Sequence, residues 1–201
     1  ITLANRGEIA RHSSGLDHRI DDVDEAIAET RLYAEVGGGT IVDATNPDLT
    51  RDPEALRTIS EATGVHVVMG AGHYLNEHHP LDMDERSEEQ LFEEMVGDVT
   101  EGADGTSIRS GIIGEIGCQY PLHPNEETTL RAATRASLAT GAALLIHPGR
   151  DHRAPLELMR IVIEAGGRPE RAIMSHLDRT VFEDDELVEL AKTGCYLEFD
   201  L

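Results

Sequence analysis

Short apolar runs alternate with amphipathic stretches along most of this chain. Six of the runs predict strands, at 40–43, 65–70, 111–117, 144–147, 172–176 and 195–200. Apolar residues at helical spacing, with acidic or proline starts and glycine ends, predict helices at 21–36, from 52 onward, 87–101, 124–140, 155–165 and 184–193. Residues 1–20 and 71–87 are predicted to be loops. Strands that alternate with helices indicate a parallel sheet wrapped by helices.

Two architectures fit this order of elements, a (β/α)8 TIM-type barrel and an open doubly wound sheet. No glycine-rich phosphate-binding fingerprint begins a predicted helix, which weakens the nucleotide-binding version of the open sheet. Ligand-type side chains end several of the strands, and in barrels the active site lies at that face. We therefore predict one α/β domain over residues 1–201, an incomplete TIM-type barrel.

The candidate chemistry centres on Glu115, which lies near the end of the apolar run 111–117. An ionised carboxylate is costly to bury there unless a positive group compensates it. Two later strands end in His147 and His176. The alternative for Glu115 is a buried salt bridge to an arginine, and a lone strand histidine is often an ordinary core residue. A carboxylate and two histidines at successive strand ends together favour a metal site, since zinc accepts both donor types.

Composition narrows the expected partners and the compartment. The formal net charge of −22 repels nucleic acid and anionic membranes, and no apolar run is long enough to span a bilayer. Only Lys192 of the 17 basic residues is a lysine, so Schiff-base chemistry is not expected. Many carboxylates with almost no lysine favour a salt-adapted cytoplasmic protein over one from a high-GC genome. Cys118 and Cys195 are predicted to be free thiols in a reducing compartment.

Five runs of this sequence resemble phosphotriesterase-related proteins of the amidohydrolase superfamily. They are GGGTIVD (37–43), GIIGEIG (111–117), IHPGR (146–150), SHLDRT (175–180) and GCYLEFD (194–200). The resemblance implies a (β/α)8 barrel that holds two divalent metal ions, usually zinc, and the six predicted strands would be its strands 2 to 7. Glu115 matches a glutamate that bridges the metals in one branch, and His147 and His176 match ligands on strands 5 and 6. The remaining family ligands, a His-x-His pair on strand 1 and an aspartate on strand 8, are expected outside these 201 residues.

The function that the resemblance implies is metal-dependent hydrolysis. A hydroxide between the metals would attack an ester, lactone or amide carbonyl of a small molecule, or a phosphoester. The alternative is a truncated, non-catalytic homologue that serves as a binding or structural module. A homo-oligomer is left open.

Further residues near the strand ends are candidates for supporting roles. Tyr74, Arg150 and Arg179 are predicted to bind substrate, the arginines through an anionic group, with a salt bridge in an acidic protein as their alternative. Asp178 could orient a metal ligand or a bound water, or it could simply cap a turn. His73 departs from the two aromatic residues that the family often has at this point.

Overall fold

The computed structural model describes residues 22–200, which form six strands and six α-helices in alternation. The strands are β1 (Thr40–Asp43), β2 (His66–Ala71), β3 (Ile112–Gly117), β4 (Ala143–His147), β5 (Ala172–Met174) and β6 (Tyr196–Leu197). The α-helices are α1 (Val23–Glu35), α2 (Pro53–Thr63), α3 (Glu88–Thr100), α4 (Pro124–Thr140), α5 (Ala154–Glu164) and α6 (Asp184–Lys192).

The order of strands in the sheet distinguishes between the two predicted architectures. All neighbouring strands are parallel, and they lie side by side in chain order from β1 to β6. A doubly wound sheet reverses its strand order at a switch point, whereas a barrel adds each new strand on the same side. The six strands and their helices therefore form part of a (β/α) barrel, with β1 and β6 at its two edges.

Local sequence signals explain where the central helices begin and end. Ser87 and Gln90 form a capping box at the start of α3, in which each side chain satisfies a backbone N–H of the other residue. At the start of α4, the Glu126 side chain accepts the N–H of His123, and the His123 ring accepts the N–H of Asn125. Gly141 ends α4 in the left-handed conformation at φ +79°, which glycine adopts without a steric penalty.

The core lies where the middle strands pack against α3, α4 and α5. Every residue of β3 is buried, whereas Thr40 and Val42 of the edge strand β1 are exposed. Leu130 and the small residues Ala132, Ala133 and Ala136 bury one face of α4, which lets this helix approach the sheet closely. The middle strands are therefore the best-enclosed part of the sheet, and their carboxyl ends hold the candidate site.

The structure shortens two of the predicted strands. The strand predicted at 172–176 ends at Met174, because His176 has a left-handed backbone with φ 60° and ψ 32°. The strand predicted at 195–200 keeps only Tyr196 and Leu197. Segment 71–87, predicted as a loop, contains two short 3-10 helices, Asn76–His78 and Met83–Glu85. The loop predicted for 1–20 lies outside the described residues.

No helix within residues 22–200 is both long and apolar enough to cross a membrane.

Candidate metal centre

Glu115 is held in place by its own backbone and by the glycines beside it. Its N–H donates to Ala44 O at 3.2 Å, and its C=O accepts from Asn46 Nδ2 at 3.1 Å, so the loop after β1 anchors it. A Cβ on Gly114 would lie 2.4 Å from Leu145 O of β4. Only glycine therefore allows β3 to approach β4 this closely beside Glu115.

The three predicted ligands converge at the carboxyl ends of their strands. Glu115 Oε1 lies 2.6 Å from His176 Nε2 and 3.4 Å from His147 Nδ1. The imidazole ring centroids of the two histidines are 4.7 Å apart. All three residues are buried, with 5%, 7% and 5% of Glu115, His147 and His176 exposed. The parallel register brings them together, because β3 and β4 pair Gly117 with His147.

His176 has a second carboxylate partner that fixes the orientation of its ring. Its Nδ1 lies 2.8 Å from Asp200 Oδ1, on the opposite side of the ring from Glu115. Because Nδ1–H donates to Asp200, Nε2 is the nitrogen that faces Glu115; it donates there in the protonated ring and would be free to bind a metal ion in the neutral ring. Metal-binding histidines in proteins commonly have a carboxylate partner of this kind.

The ionisation of the cluster depends on the balance between burial and charge. Burial alone would raise the pKa of Glu115, but hydrogen bonds and charge from His147 and His176 outweigh it and lower this pKa to about 2. Burial lowers the pKa of His176, yet Glu115 and Asp200 together raise it above its usual value. Glu115 is therefore a carboxylate over the whole physiological pH range.

The donor set fits a divalent metal ion. One carboxylate oxygen and two imidazole nitrogens all lie within 4.8 Å of one another, and zinc accepts both kinds of ligand. A buried carboxylate beside two histidines has no arginine partner within the described residues, which removes the salt-bridge alternative for Glu115. The cluster is therefore a candidate metal centre.

The structure places the other predicted residues at different distances from this cluster. Tyr74 is buried, and its hydroxyl lies 3.4 Å from both ring nitrogens of His147. Arg179 is half-buried in the short 3-10 helix that follows His176, whereas Arg150 is exposed. Asp178 is exposed and accepts the N–H of Asp200 at 3.0 Å. Asp178 therefore supports the residue that orients His176 and does not touch a predicted ligand itself.

Two carboxylates near the site were missed in the sequence. Asp200 ends the last predicted strand, so its position repeats the signal of Glu115, His147 and His176 and could have identified it. Asp48 follows β1 within the 3-10 helix Pro47–Leu49, and it contacts His73 and Tyr74. Asp48 and His73 lie in two different loops and are 25 residues apart in the sequence. Contacts between loops leave no periodic pattern from which they could be predicted.

A family model matches almost the whole of this sequence. The model of the phosphotriesterase family matches residues 8–201. The chain belongs to the phosphotriesterase family. The predicted resemblance is confirmed, and its strand-end residues lie within the matched region.

Curated relatives from animals are similar over most of this chain. A phosphotriesterase-related protein of Nematostella vectensis is 48% identical over 181 residues, which cover 90% of this chain and 52% of the relative. The human N-acetyltaurine hydrolase is 46% identical over 178 residues, which cover 88% of this chain and 51% of the relative. The chain thus spans about half the length of the curated relatives that it matches.

Two solved structures of the phosphotriesterase-like type share the fold. A resiniferatoxin-binding protein from Rhodobacter sphaeroides superposes with a TM-score of 0.87 at 40% identity, covering 90% of this chain and 51% of that one. A phosphotriesterase homology protein from Escherichia coli, with phosphate in its active site, gives 0.84 at 27% identity, covering 90% and 62%. These neighbours are TIM barrels, so the predicted fold class is confirmed and the described residues form part of that barrel.

Several of the relatives are named as hydrolases. The family is metal-dependent, and the Glu115 cluster is the candidate site for the ion in this chain. Relatives named as hydrolases act on small molecules.

Proposed function

We propose that this chain provides the central part of a metal-dependent active site that hydrolyses a small molecule at a carbonyl group. The observation that carries the proposal is the convergence of Glu115, His147 and His176, whose ligand atoms all lie within 4.8 Å of one another. Their places at the ends of three successive parallel strands match the face on which barrels carry out catalysis.

The residues suggest a division of roles around two ions, for which zinc fits the donors. Glu115 would be the ligand that the two ions share, and His147 and His176 would hold one of them. Divalent ions at such a site lower the pKa of water to near neutral and polarise the bond under attack. Asp200 would hold the ring of His176, and the Tyr74 hydroxyl would line the site beside His147.

An amide with a negatively charged group is the substrate class that we favour over a simple ester, lactone or phosphotriester. A relative that is 46% identical is named for the hydrolysis of N-acetyltaurine, an amide that carries a sulfonate. A homologue that is 27% identical holds phosphate, another anion, in its active site. Both observations concern other proteins, but they point to one kind of ligand.

Arg179 is the residue best placed to receive such an anion. Its Nε is buried and, within the described residues, has no hydrogen-bond partner. The charge of Arg179 also acts on Asp200, the partner of His176. Burial would raise the pKa of Asp200, but His176 has the larger opposing effect, Arg179 adds to it, and together they lower this pKa. A guanidinium can hold a sulfonate or carboxylate with two hydrogen bonds, which makes Arg179 a specificity residue in this proposal.

The proposal is tested with the natural chain at its full length. We expect purified protein to contain divalent metal, and hydrolysis of N-acetyltaurine to stop after chelation and return when zinc is added. A panel of a lactone, a carboxylic ester and a phosphotriester ranks the substrate classes. Hydrolysis that persists after complete metal removal would overturn the proposal.

The role of Arg179 has its own test and a matched control. Arg179→Gln is expected to raise KM for the anionic amide by roughly tenfold while a neutral amide is affected little, since one charged hydrogen-bonding group is lost. The control is Arg168→Gln, because Arg168 is an exposed arginine paired with Glu170 at 2.7 Å. Equal losses for charged and neutral amides would show that Arg179 does not select the anion.

A further inference from the structure

His73 is a buried histidine that the proposed hydrolysis does not use. Its side chain and that of Asp48 are each 2% exposed, and His73 Nδ1 lies 2.8 Å from Asp48 Oδ1. On the other side of the ring, Nε2 lies 3.1 Å from Glu94 Oε1, at an ion-pair distance but off the line of a good hydrogen bond. The imidazole is therefore enclosed between two carboxylates.

The surroundings favour the charged form of this histidine. Burial alone would lower the pKa of His73, but Asp48 and Glu94 raise it to about 9. The titratable and charged groups that face His73 or its partners are Asp48, Glu94, His79, Arg86 and Glu126. A neutral imidazole has only one N–H, so it would leave one carboxylate facing a nitrogen lone pair.

The Asp48–His73 pair is joined to the metal centre through Tyr74. The second oxygen of Asp48 accepts the backbone N–H of Tyr74 at 2.8 Å. The Tyr74 ring lies at 65° to the His147 ring with their centroids 5.0 Å apart, so it covers one side of this predicted ligand. The backbone position of Tyr74 consequently sets where its hydroxyl meets His147.

Two further contacts tie the segment around Tyr74 to Gly117 of β3 and to His79. Gly117 N–H donates to His73 O at 3.1 Å, and a Cβ on Gly117 would lie 2.3 Å from both Tyr74 C and Leu75 N. His79 Nε2 lies 2.8 Å from Tyr74 O. Asp48 contacts both the side chain of His73 and the backbone of Tyr74, so it couples the charge of His73 to the position of Tyr74.

We propose that the Asp48–His73 ion pair is a positioning device, which holds the Tyr74 hydroxyl against His147 only while His73 carries its positive charge. The proposal rests on the proposed function, because the active site is the one at Glu115, His147 and His176. Loss of the Nδ1 proton removes the donor from Asp48, while the remaining N–H of His73 stays on the side of Glu94. Tyr74 then shifts from its place beside His147.

A first experiment needs no substitution of His73. The natural full-length protein, without added metal, carries 13C-labelled histidine and tyrosine rings and is titrated by NMR from neutral to alkaline pH. The Tyr74 signal is identified by its loss in Tyr74→Phe, and the His73 signal by its loss in His73→Gln. We expect the Tyr74 signal to change with the same midpoint as His73, near pH 9, and this step to be absent in His73→Gln, which separates it from ionisation of a tyrosine phenol. A Tyr74 signal that does not follow His73 overturns the proposal.

A second experiment measures the effect on turnover. In His73→Gln, kcat at neutral pH is expected to fall about tenfold with KM changed less than about threefold, because a displaced group reduces turnover more than binding. The fall in wild-type activity above about pH 9 should be absent in this variant. The control is His152→Gln, because His152 is also paired with a carboxylate, Glu186, but is exposed.

The outcomes separate this proposal from the proposed function. An inactive wild-type protein contradicts the hydrolase, while the NMR titration still supports or overturns the coupling of His73 to Tyr74. An active wild-type protein with an unchanged kcat and the same alkaline fall in His73→Gln contradicts the positioning role alone. If His73→Gln unfolds, Asp48→Asn replaces it in the turnover measurement and is expected to show the same loss.

Discussion

Two histidines of this molecule, His176 and His73, each lie between two carboxylates at the carboxyl end of a parallel strand. His176 lies between Glu115 and Asp200, and His73 lies between Asp48 and Glu94. Both rings are buried, and the carboxylates raise the pKa of both. The two regions therefore use the same residue types in the same local arrangement.

The difference between them lies in what surrounds the three groups. His147 joins Glu115 and His176, so three donor atoms converge on one point and can share an ion. Around His73 no second histidine nitrogen of the described residues completes a metal-type group, and the ring charge is balanced by its own carboxylates. Burial and carboxylates alone produce an ion pair, and a further convergent donor is needed for a candidate metal centre.

Removal of the shared carboxylate is the strongest test of this difference. Glu115→Gln should lower metal affinity by more than about 100-fold. Removing a residue that only orients a ligand typically costs about 10- to 100-fold, and removing a ligand itself should cost more. Metal content after dialysis measures this, with Glu94→Gln as the matched change in the other region. Equal metal loss in both variants would contradict the assignment.

The ion pair of His73 should affect the free energy of unfolding and its dependence on pH, and should have little effect on metal binding. Its folded-state pKa of about 9 exceeds the usual histidine value of 6.5, so its stabilisation is complete below about pH 6.5 and is lost as pH rises through 9. The free energy of unfolding should therefore fall by about 3 kcal/mol more in wild type than in His73→Gln over this range. Parallel curves for the two proteins, from denaturant unfolding, would show that His73 is not charged in the native state.

Asp200 should matter to the metal centre without being one of its predicted ligands. Asp200→Asn is expected to weaken metal binding by about 10- to 100-fold, the usual cost of losing a partner that orients a ligand histidine. Titration with zinc and a competing chelator measures the affinity. Unchanged affinity would mean that the His176 ring is held by its other neighbours.

The smallest effect is expected where burial is absent. His152 Nδ1 lies 2.7 Å from Glu186 Oε1, but 55% of the His152 side chain is exposed. His152→Gln should change the free energy of unfolding by less than about 1 kcal/mol, since water screens an exposed pair. A change as large as that of His73→Gln would contradict the view that burial distinguishes these two pairs.

Most of the fold could be predicted because its signals are local and periodic. The helix predicted at 124–140 agrees with Pro124–Thr140 of the structure, since proline, a capping glutamate and a final glycine mark its ends. The strand predicted at 195–200 was too long, because only Tyr196 and Leu197 pair with β5. Apolar character alone does not show how many residues find a neighbouring strand.

The sequence by itself placed Glu115, His147 and His176 at or near the carboxyl ends of successive strands, and parallel pairing then requires those ends to meet at one edge of the sheet. Only the tertiary structure decided that Asp200 holds His176 and that Asp48 and Glu94 enclose His73. Those contacts join loops and helices whose relative positions depend on packing and long-range hydrogen bonds, and neither leaves a regular spacing in the sequence.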